Sequence, residues 1–407
     1  YSKDRYYNGL WAALNETEKK GIYFVPTIVM TKWNKMFSAY KELINADRQF
    51  IFKEKYLKFT DIIYAALYPI RIQFFKTKST LVNNIDYSSL ISGDLRKRGS
   101  YGLAIEGLIN YRFIKRLKKN KFKINRFIDW WESQALDKGL HKALNDFYPD
   151  VPVVGYLGYA PRDLELQLYP AKYELNHGVV PKKIAVIGKG FVNHLKIFNL
   201  DHEVDYAPAF RFQHLWNGEP HSTDKTYYTI LIALPITFND SIHIINQVIS
   251  CIDDYSMKSL RFWIKPHPTI SPNRIKNEFS SKWPKFFEFI NIDTQSVLRK
   301  ADILISGMSS ICLEAMALGI PVLVVEQAQG LQFNPIPNEL NQDLSKNCKT
   351  SQDILDGIEL YRSRDHNEIF RQQVLGKKIR ETYFEPVTRE GVLKLLDIEG
   401  DTTIAES

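Results

Sequence analysis

The feature that most constrains this chain is a pattern that occurs twice. Short apolar runs of strand length alternate with segments of helical period, from about 122 to 210 and again from about 226 to 381. In the first stretch FKINRFIDWW (122–131), VPVVGYLGY (151–159), KKIAVIG (182–188) and HEVDYAPAF (202–210) read as strands. In the second, TYYTILIALP (226–235), SLRFWIKPHP (259–268), FFEFINI (286–292), ADILISG (301–307) and IPVLVVE (320–326) do so. Helical patterns lie at 133–147, 241–252, 294–300, 309–318 and 354–381. Strands that alternate with helices pair in parallel through crossovers. NGEPHSTDK (217–225) separates the two stretches, rich in turn formers and without apolar period. The expected fold class is therefore α/β, with two Rossmann-like domains facing a central cleft. The expected boundaries are 1–216, 217–385 and a tail at 386–407 that packs back on the first domain. Upstream, 5–19, 32–47 and 53–76 read as helical, IYFVPTIV (22–29) as a buried strand, 83–102 as a polar loop and 102–119 as an amphipathic helix.

Composition narrows the class. With 44% hydrophobic and 25% charged residues, disorder, collagen and coiled coil are excluded as the main architecture. Cys251, Cys312 and Cys348 have no metal-ligand spacing and are too few for a disulfide scaffold, which points to a reducing cytosol. No apolar run reaches 18 residues. The chain starts at Tyr1, as expected of a trimmed or partial chain, so a targeting signal upstream would not be visible. The net charge of +8 is local: residues 96–126 hold eleven Lys/Arg against one acid, Glu106. This stripe suggests peripheral contact with an anionic membrane, worth about 1 kcal/mol per cation near the surface. No nucleic-acid-binding motif accompanies it, so no nucleic-acid partner is expected.

Three constellations carry chemistry. In SGMSSICLEAMALGIPVLVVE (306–326) a buried strand ends at Ser306 and Gly307, and Ser309 and Ser310 stand where a helix begins. Free backbone N–H groups and two hydroxyls there suit a phosphate, with Glu314 one turn on as an acceptor for ribose hydroxyls. In KPHP (265–268) the two prolines stiffen a strand-end loop around His267. Lys265 adds a cation, and the pair can offset charge on a departing phosphate. In WWESQALD (130–137) Glu132 closes a strand beside two indoles, where a carboxylate can have a raised pKa and act as general base; Asp137 is the alternative. Arg211, near the end of the first stretch, is a candidate anion contact. No DxD, GxSxG, Walker A or HExxH sequence occurs, so no metal or other cofactor is expected.

KPHP, the SS pair and EAMALGIPV together resemble the donor domain of glycosyltransferases of the glycosyltransferase-B fold. The pairing of HP with SS is similar to that of CMP-sugar users, the bacterial sialyltransferases and Kdo transferases. WWESQALDKGL, VVGYLGYAPRD, AVIGKG and YAPAFRF resemble bacterial surface-carbohydrate (capsule and O-antigen) biosynthesis proteins. The likeness covers about 130–330. It implies that residues 1–216 bind an acceptor and 217–385 a nucleotide-sugar donor. His267, Ser309 and Ser310 would bind the CMP phosphate, with Lys265, Glu314 and Arg211 as further donor contacts. The acidic triplet that many sialyltransferases use as base is not found here, and Glu132 takes its place. The expected activity is inverting, metal-independent transfer of an acidic sugar to a lipid-linked or oligosaccharide acceptor. The expected location is cytoplasmic, peripheral at the inner face of the bacterial membrane. A CDP-polyol phosphotransferase and a non-catalytic glycan- or membrane-binding module are the alternatives.

Overall fold

A computed structural model describes all residues except 1–3, 5, 27–32, 98, 100, 163, 218–226, 253–258, 280–281, 333, 341–342 and 400–407. The expected linker at 217–225 thus lies almost wholly outside the described residues.

The first 100 residues are the least regular. Helix α1 (Glu16–Lys19) is one turn long, because Asn15 takes an extended backbone and caps it. The continuous helix expected over 5–19 is thereby broken into a 3-10 turn at Trp11–Ala13 and α1. Of the strand expected at 22–29, residues 27–29 lie outside the described residues; the described part holds β1 (Tyr23–Phe24), which is not buried and pairs in parallel with β2 (Gln49–Phe50). Helix α2 (Met36–Ile44) lies between them, and α3 (Phe59–Ala66) and α4 (Tyr68–Arg71) follow. The expected loop at 83–102 is instead a hairpin and a helix. Strands β3 (Leu81–Val82) and β4 (Ile85–Asp86) are joined by Asn83 and Asn84, both at positive φ, and α5 (Ser88–Leu95) comes next. Asn tolerates the left-handed region better than most residues, so a two-residue turn forms without glycine.

Helix α6 (Tyr101–Lys119) leads into the first main sheet: β5 (Phe127–Trp130), α7 (Ala135–Phe147), β6 (Val153–Leu157), the short α8 (Lys172–Asn176), β7 (Lys183–Val186) and β8 (Glu203–Tyr206). The strands are parallel and lie in sequence order, 5-6-7-8. Helices α6 and α7 cross at glycine. A Cβ on Gly107 would lie 2.6 Å from the Ala135 carbonyl oxygen, and one on Gly139 would fall on the Gly107 carbonyl.

The basic stripe is not a bare cationic face. Arg116 holds the buried Asp61 with two hydrogen bonds of 2.7 and 3.0 Å, Arg112 stacks on Tyr64, and Arg126 pairs with Asp397. Lys115 and Lys118 lie over Phe147 and Tyr148. Much of the charge that the sequence assigned to a partner therefore ties the first domain together.

The second sheet is separate from the first and larger. It contains β9 (Tyr228–Ala233), α9 (Phe238–Cys251), β10 (Leu260–Lys265), α10 (Pro272–Phe279), β11 (Phe287–Phe289), α11 (Thr294–Leu298), β12 (Ile303–Ser306), α12 (Ile311–Ala317), β13 (Val322–Val325) and β14 (Ser345–Cys348). Its strands are all parallel in the order 11-10-9-12-13-14. That order starts at β9, runs outward to one edge, then returns to build the other. The reversal between β9 and β12 opens a crevice at the carboxyl ends of these strands, where open α/β sheets bind ligands. The first sheet, wound in one direction, has no such reversal.

Helices α13 (Ser351–Arg362) and α14 (His366–Tyr383) end the second domain. Beyond Tyr383 the chain runs on the first domain. Glu385 N–H donates to Ile187 O, Ala209 N–H donates to Glu385 O, and α15 (Arg389–Leu396) is pinned by Arg389 on Glu18 and Lys394 on Asp205. One apolar core runs from Trp131, Tyr156 and Phe210 through Tyr383 and Phe384 to Met316 and Leu318, so the seam between the domains is packed.

Candidate active site in the interdomain cleft

The wall on the first domain starts with strand β5. Alternation along the strand sends Trp131 into the core, fully buried, and leaves Trp130 at the surface. Gly158 makes room for Trp130, because any Cβ there would strike the indole ring. The indole N–H then donates to Glu132 Oε1 at 2.8 Å, and the Gln134 side-chain amide donates to Oε2 at 2.7 Å. Glu132 is half-buried, with each oxygen held by one donor.

Asp137 lies underneath. Its Oδ2 accepts from the backbone N–H of Glu132 (3.1 Å) and of Gln134 (2.9 Å), around Ser133 at φ +57°. Asp137 is 3% exposed, so it is the support that fixes the Glu132 backbone and does not face the cleft. Burial, with the charge of Asp129 added, pushes its carboxyl up to about 7. His141 Nε2 lies 3.1 Å from Asp129 Oδ2 in the same buried cluster. An unfolded Asp releases its proton near 3.8, whereas this one keeps it to about 7. Its contribution to stability is therefore full below about pH 4 and is lost as pH rises through 7. Asp137→Asn keeps an acceptor oxygen but cannot titrate. Its melting temperature should rise relative to wild type between about pH 4 and pH 8. A difference that stays constant over that range would refute the assignment.

Arg211 is exposed, with its guanidinium 5.7 Å from the Trp130 ring centre. It thus shares the indole that holds Glu132, on the first domain where its place in the sequence put it. Tyr159 is held well above the usual phenol range by burial, then by Glu165 and Glu132. Arg162 pairs with Glu165 on the same wall.

The facing wall is the crevice of the second sheet, a cavity of about 230 Å³. Pro235, Ile236 and Thr237 after β9, Gly307 and Met308 after β12, and Glu326 and Gln327 after β13 line it. Asp240 and His243 from α9 also reach it, and Arg162 of the first domain closes one side. Sequence reasoning missed Arg162, Asp240 and His243. The first sits on a loop whose direction depends on tertiary packing, and the others follow the end of β9 where no motif marks them.

Ser309 and Ser310 come directly after Met308 on that wall. Ser310 opens α12 without spending its side chain on a cap. The KPHP loop leaves the sheet beside Pro235, since Leu234 N–H donates to Lys265 O at 3.0 Å. Lys265 Nζ donates to Ile292 O at 2.6 Å, which ties it to the loop after β11. Thr269 N–H donates to His267 Nδ1 at 3.3 Å, and the Thr269 hydroxyl lies 2.7 Å from the same nitrogen. That assigns the ring proton to Nε2. Burial lowers the His267 pKa, so at neutral pH the ring is a neutral donor, not the second cation the sequence suggested. Glu314 Oε2 lies 3.1 Å from His214 Nε2, across the seam between the domains. In this arrangement Glu314 holds the seam and is not open to a ribose. Among the described residues no hydrogen bond or ion pair joins Glu132 to His267. Glu132 and Arg162 both act on Tyr159, and Arg162 reaches the crevice. Among the described residues no group of three or more His, Cys, Asp or Glu side chains is placed to hold a metal ion.

No family model and no curated protein matches the sequence. Solved structures do. The chain is similar to the N-terminal domain of Candida albicans trehalose-6-phosphate phosphatase, at TM-score 0.51 and 10% identity over 96% of this chain and 93% of that one. It is similar also to S. aureus MnaA in its co-structure with UDP, at TM-score 0.50 and 13% identity over 93% and 96%. The fold is of the glycosyltransferase-B type. Glu132 follows the carboxyl end of β5, and the crevice lies at the carboxyl ends of β9, β12 and β13.

Proposed function

We propose that the protein is a glycosyltransferase that takes a nucleotide-sugar donor in the crevice of its second domain. The donor is a CMP-linked acidic sugar, Kdo or sialic-acid-like, and the acceptor a lipid-linked or oligosaccharide surface glycan. The observation that supports this reading is the crevice at the switch point of the second sheet, lined by the segments that follow β9, β12 and β13 and closed on one side by Arg162 of the first domain. In the reaction the acceptor hydroxyl attacks the anomeric carbon, its proton passes to Glu132, and the carbon–oxygen bond to the nucleotide phosphate breaks with inversion. His267 Nε2–H, the Ser309 and Ser310 hydroxyls and the amides opening α12 stabilise the charge on the leaving phosphate, with Lys265 nearby, so that no metal is needed.

A second reading, a UDP-linked donor, is favoured by the similarity to MnaA, whose co-structure holds UDP. Titration calorimetry with CMP, CDP and UDP separates the possibilities. CMP binding at least about tenfold tighter than the other two, a difference of about 1.4 kcal/mol, is the expected result. Tighter UDP replaces the CMP donor by a UDP donor, and tighter CDP favours polyol-phosphate transfer.

A further inference from the structure

The apolar surface of this protein is concentrated in one place. Of the 33 large hydrophobic side chains exposed among the described residues, 15 fall between Phe59 and Leu103. Phe59 is 75% exposed, Phe74 80%, Leu81 64% and Leu90 69%. Patches of this kind mark interaction surfaces, since single exposed apolar residues are ordinary but dense runs are not.

The segment is not a loose piece of core. Its inward face is already used: Asp61 is gripped by Arg116, Ala65 is fully buried, and Tyr68 packs edge-on against Tyr101. Arg96 donates to the carbonyls of Gln73 and Phe75, and Thr77 to that of Ser88, so α3, α4, the hairpin and α5 form one lobe on α6. What remains exposed is a second apolar face that none of the described residues covers.

Charge selects the occupant. Exposed cations flank each apolar element: Lys58 before α3, Lys76 and Lys78 before the hairpin, Arg96 and Lys97 after α5. Of the three acids in the segment, Asp61 is turned inward onto Arg116, which leaves Asp86 and Asp94 exposed. A second copy of the chain would set these cations against one another. We propose that the lobe of residues 59–103 docks on an anionic phospholipid bilayer, with its aromatic and aliphatic side chains entering the acyl boundary and its Lys and Arg heads at headgroup level. Long cationic side chains suit that boundary, because their stems lie along apolar surface while their heads stay in the polar layer. This surface takes only the first residues of the basic stripe, Arg96 and Lys97 among them; Arg112, Arg116 and Arg126 further along serve contacts within the chain. The proposal does not depend on which nucleotide the crevice takes.

Co-sedimentation of the full chain with vesicles tests it. The protein should pellet with phosphatidylglycerol vesicles and much less with phosphatidylcholine vesicles. The triple variant Phe74→Ser, Leu81→Ser, Leu90→Ser should bind phosphatidylglycerol at least about tenfold more weakly. Its melting temperature should be unchanged, because all three side chains are exposed. Lys76→Glu with Lys78→Glu should weaken binding as well, and added salt should weaken it further. Three results would overturn the proposal: no binding to phosphatidylglycerol, undiminished binding by the triple variant, or self-association that the triple variant abolishes while vesicles stay unbound.

Discussion

Glu132→Gln should lower turnover by about 10²–10⁴-fold, the usual contribution of a positioned general base. Nucleotide affinity should stay at the wild-type value, since Glu132 stands on the first domain and the crevice proposed for the nucleotide on the second. The exchange is close to isosteric. The Trp130 indole can still donate to the remaining carbonyl oxygen, and the Gln134 amide can turn its oxygen toward the new NH2, so the side chain keeps its place and loses its basicity. His267→Ala is the useful contrast, because a donor to the leaving phosphate touches the nucleotide before and during the reaction. Its loss should lower turnover and weaken nucleotide binding together. Single-turnover rates with calorimetry on both variants make the comparison. Near-native turnover in Glu132→Gln removes the residue from the mechanism, and the buried Asp137 is not available to replace it.

Gly139→Ala should be the most destabilising single methyl addition in the first domain. The new Cβ would land on the Gly107 carbonyl, which belongs to backbone and cannot rotate away. The helices must separate, and they carry much of the small core of Phe113, Ile114, Ala143 and Leu144 between them. Overpacking of this kind costs about 3 kcal/mol. At roughly 2–4 °C per kcal/mol for a domain of this size, melting should fall by about 6–12 °C. Differential scanning calorimetry measures it, and a shift below about 1 °C would mean that the helix crossing adapts freely. The effect reaches the site, since α7 begins directly after the Glu132 turn.

Much of the fold was legible in the sequence because its central strands are buried on both faces. Runs such as TILIA in β9 and VLVV in β13 have little alternative in water. Strand β14, Ser-Lys-Asn-Cys, escaped notice because it is an edge strand held by its ladder to β13 and not by apolar side chains. The hairpin at 81–86 escaped because two residues per strand give no period to read. Strand-end position singled out Glu132, His267 and the serines in the sequence, and each does follow a strand, β5, β10 and β12 in turn. What could not be read were relations between distant segments. The role of Asp137 depends on Ser133 entering the left-handed region, so that two amides converge on one oxygen. The approach of Glu314 to His214 brings together residues a hundred positions apart, and no local pattern announces it.

The return of the chain to the first domain after Tyr383 has a mechanical consequence. The polypeptide passes between the two domains twice, once after Asn217 and once at Tyr383–Glu385, where Trp216 Nε1 also donates to Phe384 O. A single tether would let one domain swivel about a point. Two tethers close to each other define an axle, and the permitted motion is a swing about it, like a book on its spine. Any opening between the domains is thereby confined to a swing about the line through Trp216 and Phe384.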